Sequence, residues 1–338
     1  MKSITLGSTG NTAPHNGFGA LPVQRDDMET AVRILRGADE GGRTFFDTAR
    51  AYTDSEEKIG NALADVRDKI FIASKSMGRT PDAIKKDIET SLKLLKTDYL
   101  DIYQPHCVDQ CYKPGDGTGV YECLLDLKAQ GMIKHIGITS HKIGVAEEIV
   151  ASGLYETLQF PFSYLSGERE LELVKKCKEA NMGYLAMKAL AGGLITNSRA
   201  AFAFMYQFDN VMPIWGIQRE SELAEWLAFM DEPAEMDDEI RAFIEKERQE
   251  LTGDFCRGCG YCMPCPMGIV INQCARISLM LRRAPSASWL SEKWQAEMHK
   301  VEECIECGQC KSKCPYELDT PELLKKNLED YKTFFEEW

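Results

Sequence analysis

No hydrophobic run in this sequence is long enough to span a bilayer, and its first residues, MKSITLGSTG, hold no apolar leader segment. The chain therefore reads as cytoplasmic, with no membrane partner. Positive charge is also short: acids outnumber bases and the net charge is −13. Nucleic acids and anionic membranes attract basic patches, so neither is an expected partner. No G-x-G-x-x-G follows the first strand candidate, which weakens a doubly wound dinucleotide-binding sheet. Cysteine is sparse before residue 180, where Cys107, Cys111, Cys123 and Cys177 lack ligand spacing and read as free thiols. Cys107 and Cys111 follow His106 closely enough to leave a site role open.

What is present is an alternation. The chain has 338 residues, 44% of them apolar, enough for one large domain and one small one. After a polar hairpin over 1–16, short apolar strand candidates fall at 17–23, 45–49, 70–76, 98–105, 135–140, 157–162, 183–189 and 211–217. Helical stretches fill the gaps, near 27–40, 55–65, 81–95, 118–130, 143–151, 168–180, 198–208 and 221–230. The clearest runs over 81–95, with Thr80 as cap, Pro81 at its first position, and Ile84, Ile88, Leu92 and Leu95 on one face. Eight such units predict an α/β chain folded as a (β/α)8 TIM barrel over 1–235. Residues 236–338 form the second domain, with a last helix docking by Leu323, Leu324, Leu328, Tyr331, Phe334, Phe335 and Trp338.

Four polar groups fall at the ends of three successive strands: Asp47, Tyr52, Lys75 and His106. In a parallel α/β fold the active site is built at that end. Asp54 or Ser55 would cap the helix after Tyr52, with Glu56 and Glu57 favoured by the helix dipole. A phenol is a poor proton donor at neutral pH. A nearby ammonium lowers its pKa, a carboxylate keeps that ammonium charged, and a histidine can orient a carbonyl. The set suits protonation of an alkoxide as a hydride reaches a carbonyl carbon.

The other nine cysteines crowd into residues 256–314, which in a cytosolic protein means metal before disulfide. Cys304-x2-Cys307-x2-Cys310-x3-Cys314-Pro315 has the spacing of the bacterial ferredoxin run for [4Fe–4S] clusters. Cys256-x2-Cys259-x2-Cys262-x2-Cys265-Pro266 is one residue short before its last cysteine. In two-cluster ferredoxins the last cysteine of each run ligates the other cluster. One cluster would then take Cys256, Cys259, Cys262 and Cys314. The other would take Cys304, Cys307, Cys310 and Cys265, with Cys274 in reserve for Cys265. The 38 residues between the runs look helical, so this domain is a small, mainly helical ferredoxin-like one.

FFDTARAYTDSEEKIGNAL, IASKS and DYLDIYQPHCVD together resemble the aldo-keto reductase superfamily, over roughly residues 1–230. The cysteine region resembles the helical dicluster domain carried by one branch of it, common in anaerobes. The resemblance implies Tyr52 as acid–base, Lys75 and Asp47 as its tuning partners, and His106 as the substrate-orienting group. It implies an extended NAD(P)H held by Gly19, Ala20, Thr139, Ser140 and Gln159, by Met187 where many relatives stack an aromatic, and by Lys188 at the pyrophosphate. Gly216, Gln218, Arg219 and Glu222, in WGIQRESELAEW, would meet the adenosine. Glu222 stands where NADP-preferring relatives commonly have arginine, so NAD is the expected preference. The leading reading is an oxidoreductase on a small carbonyl/alcohol pair, with two clusters for electron transfer. Two others stay open: a reductase fed by ferredoxin or another carrier with nicotinamide binding lost, and a protein whose clusters are purely structural. No dedicated flavin site is legible, although the barrel top could admit one.

Overall fold

The computed structural model describes residues 1–251, 255–283 and 286–337. The chain divides into two compact units. The first holds 1–189 and 198–244, the second 190–197 and 245–338.

In the first unit a hairpin, β1 (Ser3–Thr5) with β2 (Thr12–Pro14), precedes eight further strands. These are β3 (Gly17–Gly19), β4 (Phe45–Asp47), β5 (Phe71–Ser76), β6 (Leu100–Pro105), β7 (Ile133–Thr139), β8 (Thr157–Pro161), β9 (Gly183–Met187) and β10 (Val211–Gly216). They pair in parallel and close as a barrel in the order β10-β3-β4-β5-β6-β7-β8-β9. Each strand is short and nearly all buried, β6 along its whole length, because helices cover one face and barrel-interior side chains the other. Helices follow in turn: α1 (Met28–Glu40), α2 (Ser55–Leu63), α3 (Pro81–Leu95), α4 (Val120–Ala129), α5 (Ile143–Ser152), α6 (Glu168–Glu179), α7 (Ser198–Tyr206) and α8 (Glu220–Asp231). The Thr80 hydroxyl accepts from Ala83 N at 3.4 Å, Pro81 opens α3, and Ile84, Ile88 and Leu95 are buried. At α2 the expected cap differs. Asp54 holds the cap position without a side-chain bond to the helix. Ser55 is buried and donates to the Ala20 carbonyl at 2.9 Å, so it ties α2 back to the end of β3.

The second unit is built from short helices. The helix α9 (Asp238–Glu250) crosses the division at 244–245, beyond the expected boundary of 235–236. Then come α10 (Ile271–Cys274), α11 (Ile277–Arg283), α12 (Ser286–Trp289), α13 (Glu292–His299), α14 (Gln309–Ser312) and α15 (Thr320–Glu337). Their core gathers Ile269, Ile277, Leu281, Met298, Leu324 and Tyr331, with Cys256, Cys262, Cys274 and Cys310 in the same cluster. Buried Asn327 on α15 binds the Ala275 carbonyl at 3.2 Å and accepts from Ser278 N at 3.0 Å, stitching three helices together. Leu323, Leu324, Leu328, Tyr331 and Phe334 pack as expected, but Phe335 stays 44% exposed. Thr252, Gly253 and Trp338 lie outside the described residues. Among the described residues no helix is long and apolar enough to cross a membrane.

Candidate functional site

Parallel closure puts the C-terminal ends of all eight barrel strands on one rim. Register pairs Gly19 with Asp47, Lys75 with Gln104 and Thr139 with Gln159. There the Lys75 ammonium spends its donors inward. It bonds Asp47 Oδ1 at 2.7 Å, Asp47 Oδ2 at 2.8 Å and the Thr48 carbonyl at 2.6 Å, with both side chains buried. Its Nζ is 5.2 Å from the Tyr52 ring centroid. The Tyr52 ring meets His106 edge-on, with centroids 5.8 Å apart. The four residues singled out from the sequence are therefore brought together.

Their electrostatics differ from the expectation in one respect. Burial pushes the Tyr52 phenol well above its ordinary pKa, and the Asp47 carboxylate adds to it. The ammonium is committed to Asp47 and does not offset this, so the phenol keeps its proton at neutral pH. Burial raises the Asp47 carboxyl, while Lys75 and the Gln159 amide pull it back. Burial, with Lys75 and Arg79 nearby, depresses His106 to about 3, so the imidazole is neutral. Its Nδ1 is buried without a partner.

The loop carrying Tyr52 is held by a clamp that sequence pattern does not reveal. Arg50 N donates to the Lys75 carbonyl at 3.0 Å, and Arg50 Nη2 to the Thr53 carbonyl at 3.1 Å. The Arg50 guanidinium pairs with Glu56, whose Oε1 accepts from Ser74 Oγ at 2.6 Å. Glu56 is fully buried. The helix-dipole role read from sequence understates it; the signal it leaves is only an acid beside the strand-end motif.

On the opposite side, Thr139 Oγ1 accepts from Cys107 N at 2.7 Å, and Ser140 Oγ donates to the Val108 carbonyl at 2.9 Å. Gln159 donates to Asp47 Oδ1 at 3.3 Å and accepts from Gln104 Nε2 at 3.0 Å, which leaves Gln104 Oε1 buried without a partner. Cys107 has φ +53 and its Sγ lies 3.7 Å from His141 Nδ1. Cys111 is buried. Met187 and Lys188 are half-buried at the end of β9, with Lys188 at φ +56. Gly19 and Ala20 end β3, where Ala20 N donates to the Asp47 carbonyl at 2.8 Å. At the end of β10, Gly216 is exposed and Gln218 donates to Asp26 Oδ1 at 3.3 Å. Glu222 Oε2 accepts from Gln218 N at 2.8 Å and Arg219 N at 3.1 Å, so its carboxylate covers the N-terminus of α8.

In the second unit the cysteines line two cavities. One is lined by Cys256, Cys259, Cys262 and Cys314, with Arg257 as its charged side chain. The other is lined by Cys265, Cys304, Cys307 and Cys310, with Cys262 between the two and Glu306 as its charged side chain. Cys274 is among the lining of neither, and its thiol donates to the Glu297 carbonyl at 3.8 Å. The loops bend through Gly258, Gly260 and Gly308, all at positive φ, and Gly258 N donates to Cys256 Sγ at 3.4 Å. Four thiols around one apolar hollow, with a backbone amide aimed at sulfur, fit a cubane whose irons each take one thiolate. Among the described residues no three His, Cys, Asp or Glu side chains sit closely enough to hold a single metal ion.

A profile of the aldo/keto reductase family matches residues 16–210, and one of the 4Fe-4S dicluster domain matches residues 255–319. Aldo-keto reductase YhdN of Bacillus subtilis is 28% identical, over 58% of this chain and 64% of its own length. The NADH-specific methylglyoxal reductase of Escherichia coli is 26% identical, over 59% of this chain and 70% of its own. An aldo-keto reductase from Klebsiella pneumoniae, solved in complex with NADPH, superposes with a TM-score of 0.62 at 22% identity, covering 73% of this chain and 95% of that one. The chain spans 64% and 60% of the length of the first curated relatives it matches.

Proposed function

This chain belongs to the aldo/keto reductase family and carries a 4Fe-4S dicluster domain, and from that premise we propose that it reduces a small carbonyl compound to an alcohol. The observation that carries the reading is the Lys75 ammonium bonded to both Asp47 oxygens and the Thr48 carbonyl, beside a protonated Tyr52 phenol. A bound nicotinamide supplies hydride to such a site. The chain's own part is the proton. Tyr52 holds it on its hydroxyl and gives it to the carbonyl oxygen as negative charge develops there. The Lys75 cation, fixed in place, balances the Asp47 carboxylate beside the phenol as its proton leaves. His106, neutral and with Nδ1 unfilled, positions that oxygen by hydrogen bonding. Residues at the rim from Gly19 to Glu222 would hold the nucleotide. NADH-specific and NADPH-bound relatives both occur, and Glu222 at the α8 N-terminus favours NADH here.

In the second unit, Cys256, Cys259, Cys262 and Cys314 would hold one cluster and Cys265, Cys304, Cys307 and Cys310 the other. The two cavities support this ligand set, and Cys265 over Cys274. Clusters of this type supply single-electron transfer.

One set of contacts supports a second reading, delivery of electrons by ferredoxin or another carrier without nicotinamide. The Ser140 hydroxyl and both ends of the Gln159 amide are engaged within the protein, although the family resemblance gives them to the nicotinamide carboxamide. The deciding experiment is an anaerobic preparation examined for absorption, iron content, NADH and NADPH binding, and carbonyl turnover with each donor. Binding of neither nucleotide, with turnover only from reduced ferredoxin, would leave the second reading standing.

A further inference from the structure

We infer that Arg276 sets the reduction potential of the cluster held by Cys256, Cys259, Cys262 and Cys314, raising it against the opposing effect of burial. The inference rests on the two-site ligand reading above.

The two cavities differ in exposure. In the first, Cys256 and Cys262 are 8% and 7% exposed and Cys259 and Cys314 half-buried; in the second only Cys310 is buried, and Cys307 is exposed beside Ile305, itself 60% exposed. Adding an electron to a thiolate-bound cluster increases its negative charge, and burial disfavours the more charged form. On burial alone the first cluster would be the harder of the two to reduce.

Arg276 lies against that first site. It is 7% exposed. A Cβ on Gly258, the residue midway between Cys256 and Cys259, would come within 2.6 Å of Arg276 Nη1 and 2.7 Å of its Cζ. Glycine at 258, with φ +66, is what lets the guanidinium approach the loop. Arg276 Nη1 donates to the Gly192 carbonyl at 2.6 Å and Nη2 to Gln273 Oε1 at 3.2 Å. Both acceptors are neutral. The remaining Nε–H is buried and without a partner, and among the described residues no carboxylate pairs with this side chain. A buried cation with no anion is costly. A cluster with its thiolates is an anion of the right sign at the right place, and reduction strengthens the attraction. A fixed buried cation is also little screened by solvent. The second site has the opposite charge at its wall, Glu306, but that group is more than half exposed and paired with Lys325, so its influence is weak.

Arg276 would therefore bring the buried cluster's potential up toward that of the exposed one, so that an electron can pass between them without a large uphill step. The test is a redox titration of the full, iron-loaded chain followed by electron paramagnetic resonance. Cys307→Ala, which removes the second site, assigns the two signals. Arg276→Gln should shift the first cluster's potential to a more negative value and leave the second unmoved. Arg276→Lys should restore most of the shift. Should Arg276→Gln fail to hold iron, Gln273→Glu gives the guanidinium a carboxylate partner without altering it, and the same negative shift is expected. Full iron content with both potentials unmoved in these variants overturns the inference. An iron content of about four per chain in the wild type would instead overturn the two-site reading beneath it.

Discussion

The two units hold their chemical groups in opposite ways. In the barrel most of the site's polar groups bond one another: Lys75 is bonded to Asp47 and Thr48, Asp47 to Gln159, Gln159 to Gln104, and Glu56 to Arg50 and Ser74, while Gln104 Oε1 and His106 Nδ1 stay unpaired. The strands that carry them are pinned by parallel pairing all round a closed barrel. In the cysteine unit the site groups line two hollows, and three of its helices, α10, α12 and α14, have four residues each. Isolated helices that short are not stable in water. One unit completes its site with its own polar groups; in the other, helices this short are expected to lean on whatever fills the hollows. A preorganised site suits proton placement, which depends on fixed dipoles. A site assembled around an inorganic core suits an electron carrier, whose properties come from the core and the charges near it.

The sharpest way to break this comparison is to remove iron. Anaerobic chelation should abolish hydrogen-exchange protection across residues 255–337 while the barrel strands keep theirs, the outcome expected of a unit whose folding is coupled to cluster binding. Retained protection at Cys256–Cys265 and Cys304–Cys314 in iron-free protein would show that the helices suffice. Next in size is Tyr52→Phe, which takes away the proton donor and little volume. Carbonyl turnover should fall by about 10²- to 10⁴-fold with nucleotide affinity near wild type. Turnover within a few-fold of wild type would remove Tyr52 from the proton step.

How much of this was legible in the sequence follows the same division. Strands buried on both faces announce themselves as short apolar runs, and the Thr80–Pro81 start of α3 is a purely local signal. Asp47, Lys75 and His106 were legible because each ends such a run. Ferredoxin spacing marked the cysteines, since three thiols of each hollow lie close along the chain while the fourth comes from the other run. Three features were not legible. The commitment of all Lys75 donors to Asp47 and Thr48 is set by strand register, and it leaves burial to decide the Tyr52 pKa. The Arg50–Glu56–Ser74 clamp joins the loop after β4, the helix α2 and the strand β5. Residues 190–197 group with the cysteine unit although they follow β9, because Arg276 binds the Gly192 carbonyl. Each depends on contacts between segments remote in sequence, which periodicity does not record.

A smaller effect separates the units by pH. Burial depresses both His15 and His106 to about 3. Each is neutral in the folded barrel and charges on unfolding below its ordinary value of about 6.5. The unfolded state thus binds more protons between about pH 3 and 6.5, and barrel stability falls as pH drops through that window, by up to about 1.4 kcal/mol per pH unit for each histidine. His15 stacks on Tyr206 at 5.6 Å. His15→Phe keeps the stacking and should flatten the slope of barrel denaturation midpoints measured from pH 7 to 5. An unchanged slope would mean that His15 does not carry this dependence.

The smallest expected effect concerns the nucleotide. Glu222 sits in the first turn of α8 and accepts from Gln218 N and Arg219 N, the two amides just before the helix, so a carboxylate stands at its N-terminal end. A 2′-phosphate arriving there would meet a carboxylate instead of bare amides, whereas a ribose 2′-hydroxyl could donate to it. Arg219 is exposed at the same turn and pulls the other way. Its charge is mobile and screened, while Glu222 is half-buried and fixed by two amides, so the carboxylate should dominate. Glu222→Gln removes the charge and keeps an oxygen for the cap. NADPH affinity should rise by roughly 3- to 5-fold, the worth of one charge at a helix N-terminus, with NADH affinity nearly unchanged. Dissociation constants for both nucleotides in the wild type, Glu222→Gln and Arg219→Gln decide the matter. Tighter NADPH than NADH binding in the wild type, lost in Arg219→Gln, would give the selectivity to the arginine.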